Sequence, residues 1–280
     1  MQILYTTKEV IELVNTIKKD NKTVGFVPTM GALHEGHLSL IKQSKNNTDF
    51  TISSIFVNPT QFNDKEDLKR YPRTEKEDAK LLESVNCDYV FIPKVEEIYP
   101  EEDTRKFDFG YLDTIMEGAL RPGHFNGVAQ VVSKLFDIVR PNKAFFGMKD
   151  FQQVSIINAM VKQLNYEIEI IPCPIIREKS GLAMSSRNIL LDADCKKNSP
   201  IIFATLKKAL TFVPEKSVSE VIEYIKTTLN SIDNFNTEYV EIVNFENLKL
   251  VNNWNEEGKK IICVALFAGN IRLIDNILIE

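Results

Sequence analysis

Residues 28–41 read PTMGALHEGHLSLI, and the reading of this stretch decides the fold. Just before and into it, residues 24–28 read VGFVP, a short apolar run ending in turn residues, as a buried strand does. A Gly-containing loop follows, and Leu38, Leu40 and Ile41 then open a helix-like stretch. Gly31 allows a tight turn, and Gly36 allows a ligand to approach the backbone closely. The start of a helix offers free N–H groups and the positive end of a dipole, which suits phosphate. His34 and His37 stand three apart, so on a first helical turn they share a face. Two imidazoles there can donate to phosphate oxygens and stabilise a charged transition state. An H-x-x-H pair can also hold a metal, but the metalloprotease spacing is i, i+4 and a further ligand is needed. His124 is the only other histidine, and no Cys or Asp cluster stands near the pair. These residues alone leave nucleotide binding and a purely structural pair both open.

Working outward, residues 51–57 are β-rich and stop at Asn58-Pro59. Residues 75–85 read as an amphipathic helix, and residues 89–92 as a strand ending at Pro93. A helix over 128–139 stops before Pro141, a brief strand covers 144–147, a helix 151–164 and a strand 168–176. Strands alternating with helices imply βαβ units and a parallel sheet. Ligands in such sheets gather beyond the carboxyl ends of the strands, near a topological switch point. The most unusual loops, residues 29–37, 58–62, 147–153 and 177–188, all follow predicted strands. After about residue 188 the texture changes. Two helical segments, 199–212 and 218–229, precede strand-like runs at 239–243, 260–267 and 271–274, which suggests a smaller α+β domain.

With 280 residues, 44% hydrophobic and 26% charged, the composition is that of an ordinary globular chain of one large or two modest domains. The net charge of -5, with Lys and Arg interspersed among Asp and Glu, argues against a nucleic-acid partner. Cys87, Cys173, Cys195 and Cys263 form no C-x-x-C pair, so no zinc knuckle or redox motif is implied, and a reducing cytoplasm fits. The start, MQILYTTKEV, lacks the basic and apolar regions of a signal peptide. No apolar run reaches the length of a membrane span.

Three further loops carry chemistry. Met184-Ser185-Ser186-Arg187, between Gly181 and Asn188, sets two hydroxyls and a guanidinium in one loop. Such a loop can grip a triphosphate, or it can be a polar surface turn. Gly147-Met148-Lys149-Asp150 sits at a strand-to-helix junction followed by Gln153. Lys149 is placed to contact phosphate, while Asp150 can cap the helix or help hold a magnesium-bound phosphate. Gln61, after Asn58-Pro59-Thr60, can donate and accept, as recognition of hydroxyls and a carboxylate requires. Residues 121–126, RPGHFN, are either a substrate-side loop or a rigid connector with Asn126 capping the next helix. Residues 71–74, YPRT, either order the loop near the site or form a helix-entry turn.

Taken jointly, H-x-G-H and M-S-S-R resemble the HIGH and KMSKS signatures of adenylate-forming class I synthetases and related nucleotidyltransferases. The resemblance narrows to the pantothenate synthetase (pantoate–β-alanine ligase) family. PTMGALHEGHLSLI, FVNPTQF, YPRT, RPGHFNGVAQVV, FFGMKDFQQ, GLAMSSRN and RLIDN match that family's motifs, in its order, from Pro28 to Asn276. Met184, where Leu is also common, and residues 267–271 are small departures. The family implies an α/β fold: a Rossmann-like ATP- and pantoate-binding domain, residues 1–176, with a C-terminal α+β lid domain, residues 177–280, in a homodimer. It implies condensation of (R)-pantoate with β-alanine, using ATP and Mg²⁺, through a pantoyl adenylate. By resemblance Met30, Gly31, Ala32, Leu33, His34, Glu35, Gly36 and His37 line the ATP site, His37 being the residue usually assigned a proton-donor role. Gly147, Met148, Lys149, Asp150, Ile176 and residues 184–187 complete that site, and Gln61 and Gln153 match the pantoate-binding glutamines. Catalysis is expected from His37, His34, Lys149 and Arg187, with no metal site made of protein ligands alone.

Overall fold

The computed structural model describes residues 1–62 and 65–279. Six strands, β1 (Gln2–Leu4), β2 (Val24–Thr29), β3 (Phe50–Ile55), β4 (Tyr89–Phe91), β5 (Lys143–Gly147) and β6 (Glu169–Cys173), form a parallel sheet in the order β1-β4-β3-β2-β5-β6. β2 pairs with β3 from Val24↔Phe50 to Thr29↔Ile55, and with β5 on its other side. The chain order therefore reverses direction at β2, and the β2/β5 junction is the switch point at which such sheets bind ligands.

Both faces of this sheet are covered, and the strand residues divide between them with period two. Phe26, Ile52, Phe91, Ala144 and Phe146 pack with Val10 and Val14 of helix Thr7–Lys19 and with Val128, Val132 and Phe136 of helix His124–Val139. Val27, Ile55, Val90 and Phe145 pack on the other side with Leu40 and Ile41 of helix Glu35–Asn47 and Leu82 of helix Glu75–Ser84. Each Val, Leu, Ile or Phe among them, fully buried, stabilises the fold by about 1.5–3 kcal/mol relative to exposure. Helix Thr7–Lys19 was not among the expected elements. Its capping box is nevertheless explicit: Glu9 N–H donates to Thr6 Oγ1 at 3.3 Å and Thr6 N–H to Glu9 Oε2 at 2.8 Å.

A second sheet is antiparallel and three-stranded: β7 (Phe235–Asn244), β8 (Lys260–Ala268) and β9 (Ile271–Ile279), in that order. Helices Ile201–Leu210 and Val218–Asn230 cover it, with Ile202, Leu206, Val221, Ile225 and Leu229 packed against Val240, Ile242, Ile262, Val264 and Leu266. The strands run longer than expected, since β7 begins at Phe235 and β9 continues to Ile279. The protein is thus α/β, a Rossmann-like parallel sheet with a smaller antiparallel C-terminal domain.

The chain forms two compact units, one of Met1–Met148 with Gln153–Pro174, the other of Lys149–Gln152 with Ile175–Glu280. All four cysteines are buried, and burial pushes the Cys87 thiol up to about 12. Among the described residues no helix is long and apolar enough to cross a membrane.

Candidate active site

The loop after β2 is built by two side chains, Thr29 at its start and Asp78 far off in sequence. Thr29 Oγ1 donates to the Ser54 carbonyl at 2.7 Å and accepts from Gly31 N–H at 3.2 Å. Gly31 takes φ +81°, and a Cβ there would meet Asp78 Oδ2 at 3.0 Å and Ile55 Cγ2 at 3.1 Å. The positive φ favours glycine, and a Cβ would crowd both neighbours. Asp78, 1% exposed on helix Glu75–Ser84, accepts from Ala32 N–H at 2.9 Å and Leu33 N–H at 2.7 Å. Thr74, at the helix entry, donates its hydroxyl to the same carboxylate at 3.2 Å. Two of the loop's amides are thereby committed to Asp78 rather than to a phosphate. Leu33 joins the core, and Glu35 is exposed with Lys42 Nζ 3.8 Å from its carboxylate.

His34 and His37 do meet, by a different route from the shared first turn that their spacing suggests. His34 is the N-cap of helix Glu35–Asn47, in extended backbone at φ -146°, and His37 is its third residue. Gly36 N–H donates to His34 Nδ1 at 3.1 Å, and His34 N–H donates to His37 Nδ1 at 3.3 Å. Two imidazoles thus form the reciprocal capping box usually made by a hydroxyl and a carboxylate. Their ring centroids lie 4.1 Å apart. A backbone N–H only donates, so both Nδ1 atoms are acceptors and each neutral ring carries its proton on Nε2. The helix start therefore fixes which nitrogen of each ring is a donor.

Gln61 ends the loop after β3. It closes a short 3-10 turn, Pro59–Gln61, capped by Asn58. Asn58, 1% exposed, donates to Gln61 Oε1 at 3.2 Å and to the Gly127 carbonyl at 3.1 Å, and accepts from Tyr99 Oη at 2.9 Å. Gln61 Nε2 donates to Met30 Sδ at 3.0 Å, which brings this loop to the one after β2. Helix His124–Val139 begins four residues earlier than expected, after Gly123 in the left-handed region. Its first residue, His124, holds the Gln61 carbonyl through Nδ1 at 2.9 Å. That carbonyl only accepts, so His124 carries its proton on Nδ1, and Nε2 accepts from Arg121 Nη1 at 3.2 Å. A Cβ on Gly127 would meet Thr60 O at 2.5 Å and Gln61 Cα at 2.8 Å. Residues 121–127 are accordingly a brace beneath Gln61. Asn126 is not the helix cap: it accepts from Phe107 N–H at 2.9 Å and donates to the Arg105 carbonyl at 3.3 Å.

Gly147 ends β5, and a Cβ there would meet nothing within 4 Å, so packing does not explain the glycine. Gln153 lies half-buried in the first turn of helix Phe151–Gln163. In the other unit, Lys149 Nζ lies 3.9 Å from Asp150 Oδ2, and Asp150 is the more exposed of the two. Ile176 accepts from Met184 N–H at 3.0 Å across a narrow loop. Ser185 Oγ caps the turn Ser186–Leu190 by accepting from Arg187 N–H at 3.2 Å. Asn188 clasps the loop by donating to Glu178 Oε1 at 2.8 Å and the Ala183 carbonyl at 3.1 Å. Residues 184–187 are half-buried.

Residues 2–278 match the family model described as pantoate–β-alanine ligase. The chain belongs to the pantoate–β-alanine ligase family. It is 50% identical over 277 residues to the pantothenate synthetase of Bacteroides fragilis (strain YCH46), covering 99% of this chain and 98% of that one. The crystal structure of pantothenate synthetase from Thermus thermophilus superposes with a TM-score of 0.93 at 38% identity, covering 100% of both chains. A Francisella tularensis pantoate–β-alanine ligase, whose crystal structure is described as complexed with β,γ-ATP and β-alanine, gives a TM-score of 0.84 at 36% identity, covering 99% of this chain and 97% of that one. This pantoate–β-alanine ligase family chain is therefore an enzyme, and the Rossmann-like reading of its sheet agrees with solved members.

The sequence reading missed Asp78, Asn58, Tyr99 and Thr29. Along the sequence Asp78 is one more acid on the amphipathic helix expected over residues 75–85, and only the third dimension shows that it faces a loop more than forty residues away.

Proposed function

We propose that the enzyme condenses (R)-pantoate with β-alanine at the expense of ATP, through a pantoyl adenylate, releasing AMP and pyrophosphate. The observation that best supports this is the imidazole capping box at the head of helix Glu35–Asn47, just beyond β2. It sets two Nε2 donors at a helix N-terminus beside the switch point of the sheet, where a nucleotide phosphate is best received.

In the first step a pantoate carboxylate attacks the α-phosphate, so two anions must meet. Lys149, Arg187 and the helix start offset that repulsion, and His37 with His34 donates to oxygens whose charge grows as pyrophosphate leaves. Asp78 already occupies the amides of Ala32 and Leu33, so the charge-bearing contacts of residues 30–37 fall to the imidazoles. Residues 147–150, Ile176 and residues 184–187 complete the ATP site. Gln61, fixed by Asn58 and His124, grips pantoate with Gln153 and lies near β-alanine. In the second step the neutral amine of β-alanine attacks the acyl carbon and AMP departs. The chain's own part is positioning, charge stabilisation and exclusion of water.

Among the described residues no group of three or more His, Cys, Asp or Glu stands together to hold a metal. The Mg²⁺ of this proposal is carried by the triphosphate itself, with exposed Asp150, beside Lys149, as the carboxylate at hand. Bound there, the ion supplies charge screening. The proposal extends to a homodimer in the cytoplasm with no nucleic-acid partner, residues 1–176 binding ATP and pantoate and residues 177–280 acting as lid. ATP–pyrophosphate exchange with and without pantoate tests the reading. Exchange must need pantoate, and pantothenate and AMP must form once β-alanine is added; exchange without pantoate would overturn it.

A further inference from the structure

We infer that Asn276 is a positioning residue for Lys149, seating its backbone on the same body that carries residues 184–187. The RLIDN motif at residues 272–276 takes no part in the chemistry proposed above, yet its last two residues are polar and buried, Asp275 at 4% and Asn276 at 6% exposure. Buried polar groups destabilise unless partnered, so their partners indicate their purpose.

Asp275 takes a bidentate guanidinium from Arg177, with Nη1 to Oδ2 at 2.6 Å and Nη2 to Oδ1 at 2.8 Å. Arg177 also donates to the Gly181 carbonyl at 3.2 Å and lies over the Phe203 ring at 3.6 Å. The root of the loop bearing residues 184–187 is thus fixed to β9. Asn276 Nδ2 donates to the Lys149 carbonyl at 3.1 Å, across 127 residues of sequence. The Phe151 ring, 5.1 Å from that of Phe245, ties down the same short segment. These two ties explain why Lys149–Gln152 belongs to the C-terminal unit although the chain on either side of it does not. Burial pushes the Asp275 carboxyl up, while Arg177 and the Lys149 ammonium oppose that push, which places the lysine charge near the same node.

A lysine ammonium rides on a flexible four-carbon stem, so where it can reach depends on where its backbone is held. With Lys149 and Arg187 rooted in one body, the spacing of two phosphate contacts is preset. This inference rests on the reading of Lys149 as a phosphate contact.

The test is a double-mutant cycle in pantoate-dependent ATP–pyrophosphate exchange. Asn276→Ala is expected to lower kcat/KM for ATP by roughly 10–100-fold, the scale of a displaced catalytic group. KM for pantoate should stay within about twofold, since Gln61 and Gln153 lie in the other unit. In a Lys149→Ala background the same change should cost less than about threefold, because its target is gone. Multiplying effects would overturn the inference while leaving the role of Lys149 intact. A Lys149→Ala enzyme with wild-type exchange would sink the phosphate role and this inference with it. Should Asn276→Ala not fold, Asn276→Asp, which keeps the volume but loses the N–H donors, enters the same cycle.

Discussion

Replacing Asp78 by Ala should loosen the loop that presents the two imidazoles. The carboxylate accepts from Ala32 N–H, Leu33 N–H and the Thr74 hydroxyl, at 2.9, 2.7 and 3.2 Å. Each buried N–H left without an acceptor costs about 1–3 kcal/mol. Leu33 N–H is buried and Ala32 N–H partly so, and water can reach the second. The net loss is then about 3 kcal/mol, within the 5–15 kcal/mol typical of a folded protein, so the variant still folds. At about 2–4 °C per kcal/mol for a body of this size, the thermal midpoint should fall by about 6–12 °C. Below that midpoint kcat/KM for ATP should drop by about 10–100-fold, because His34 starts directly from the loosened loop. Asp78→Asn keeps one oxygen acceptor but sets an NH₂ group against the other amide, so it should fall about halfway between. Scanning calorimetry and exchange kinetics at 20 °C are the assays. A midpoint within about 1 °C of wild type would refute the hydrogen-bond accounting. A lowered midpoint with unchanged kinetics would refute the link from loop to chemistry.

Three other outcomes are expected. His37→Ala should slow adenylate formation by about a hundredfold or more through loss of a transition-state donor, and a single-turnover rate near wild type would remove that role. Gly127→Ala should raise KM for pantoate well before that for ATP, because the new Cβ meets backbone atoms of Thr60 and Gln61 that move only at about 1–3 kcal/mol; equal shifts in both constants would count against the brace. Asp49, held from 3.8 down to about 2 by the N–H and hydroxyl of Thr23 and by Lys22, has a folded value below its unfolded one. Its stabilisation is thus full above the unfolded value and is lost as pH falls toward about 2, so Asp49→Asn should flatten the acid limb of a midpoint-against-pH curve in that window.

Where sequence reading succeeded, one physical signal was local and strong. The apolar run before Met30 and the alternation of strands with helices were enough to place β2, β3 and β5 and the loops beyond their ends. Where it fell short, the deciding contact was remote or the signal was overlooked. Thr6 and Glu9, with Val10, Val14 and Ile17 at helical spacing, carry the signal of helix Thr7–Lys19, which is absent from the elements expected above. The spacing of His34 and His37 suggested two rings on one turn, whereas His34 stops short of the helix and caps it. No local pattern could show that Asp78 completes a loop elsewhere or that Asn58 ties its own turn to helix His124–Val139, since a carboxylate on an amphipathic helix looks the same whether it meets water or two amides.

The discontinuous C-terminal unit limits how this enzyme can be recombined. A chimera with a single crossover near residue 176 takes Lys149–Gln152 from one parent and Asn276 and Phe245 from the other, splitting a seat and its occupant. Shuffling that transplants the four-residue segment together with residues 175–280 keeps the pair matched. The inheritable module here is a set of contacts, and its edges do not coincide with a single cut in the gene.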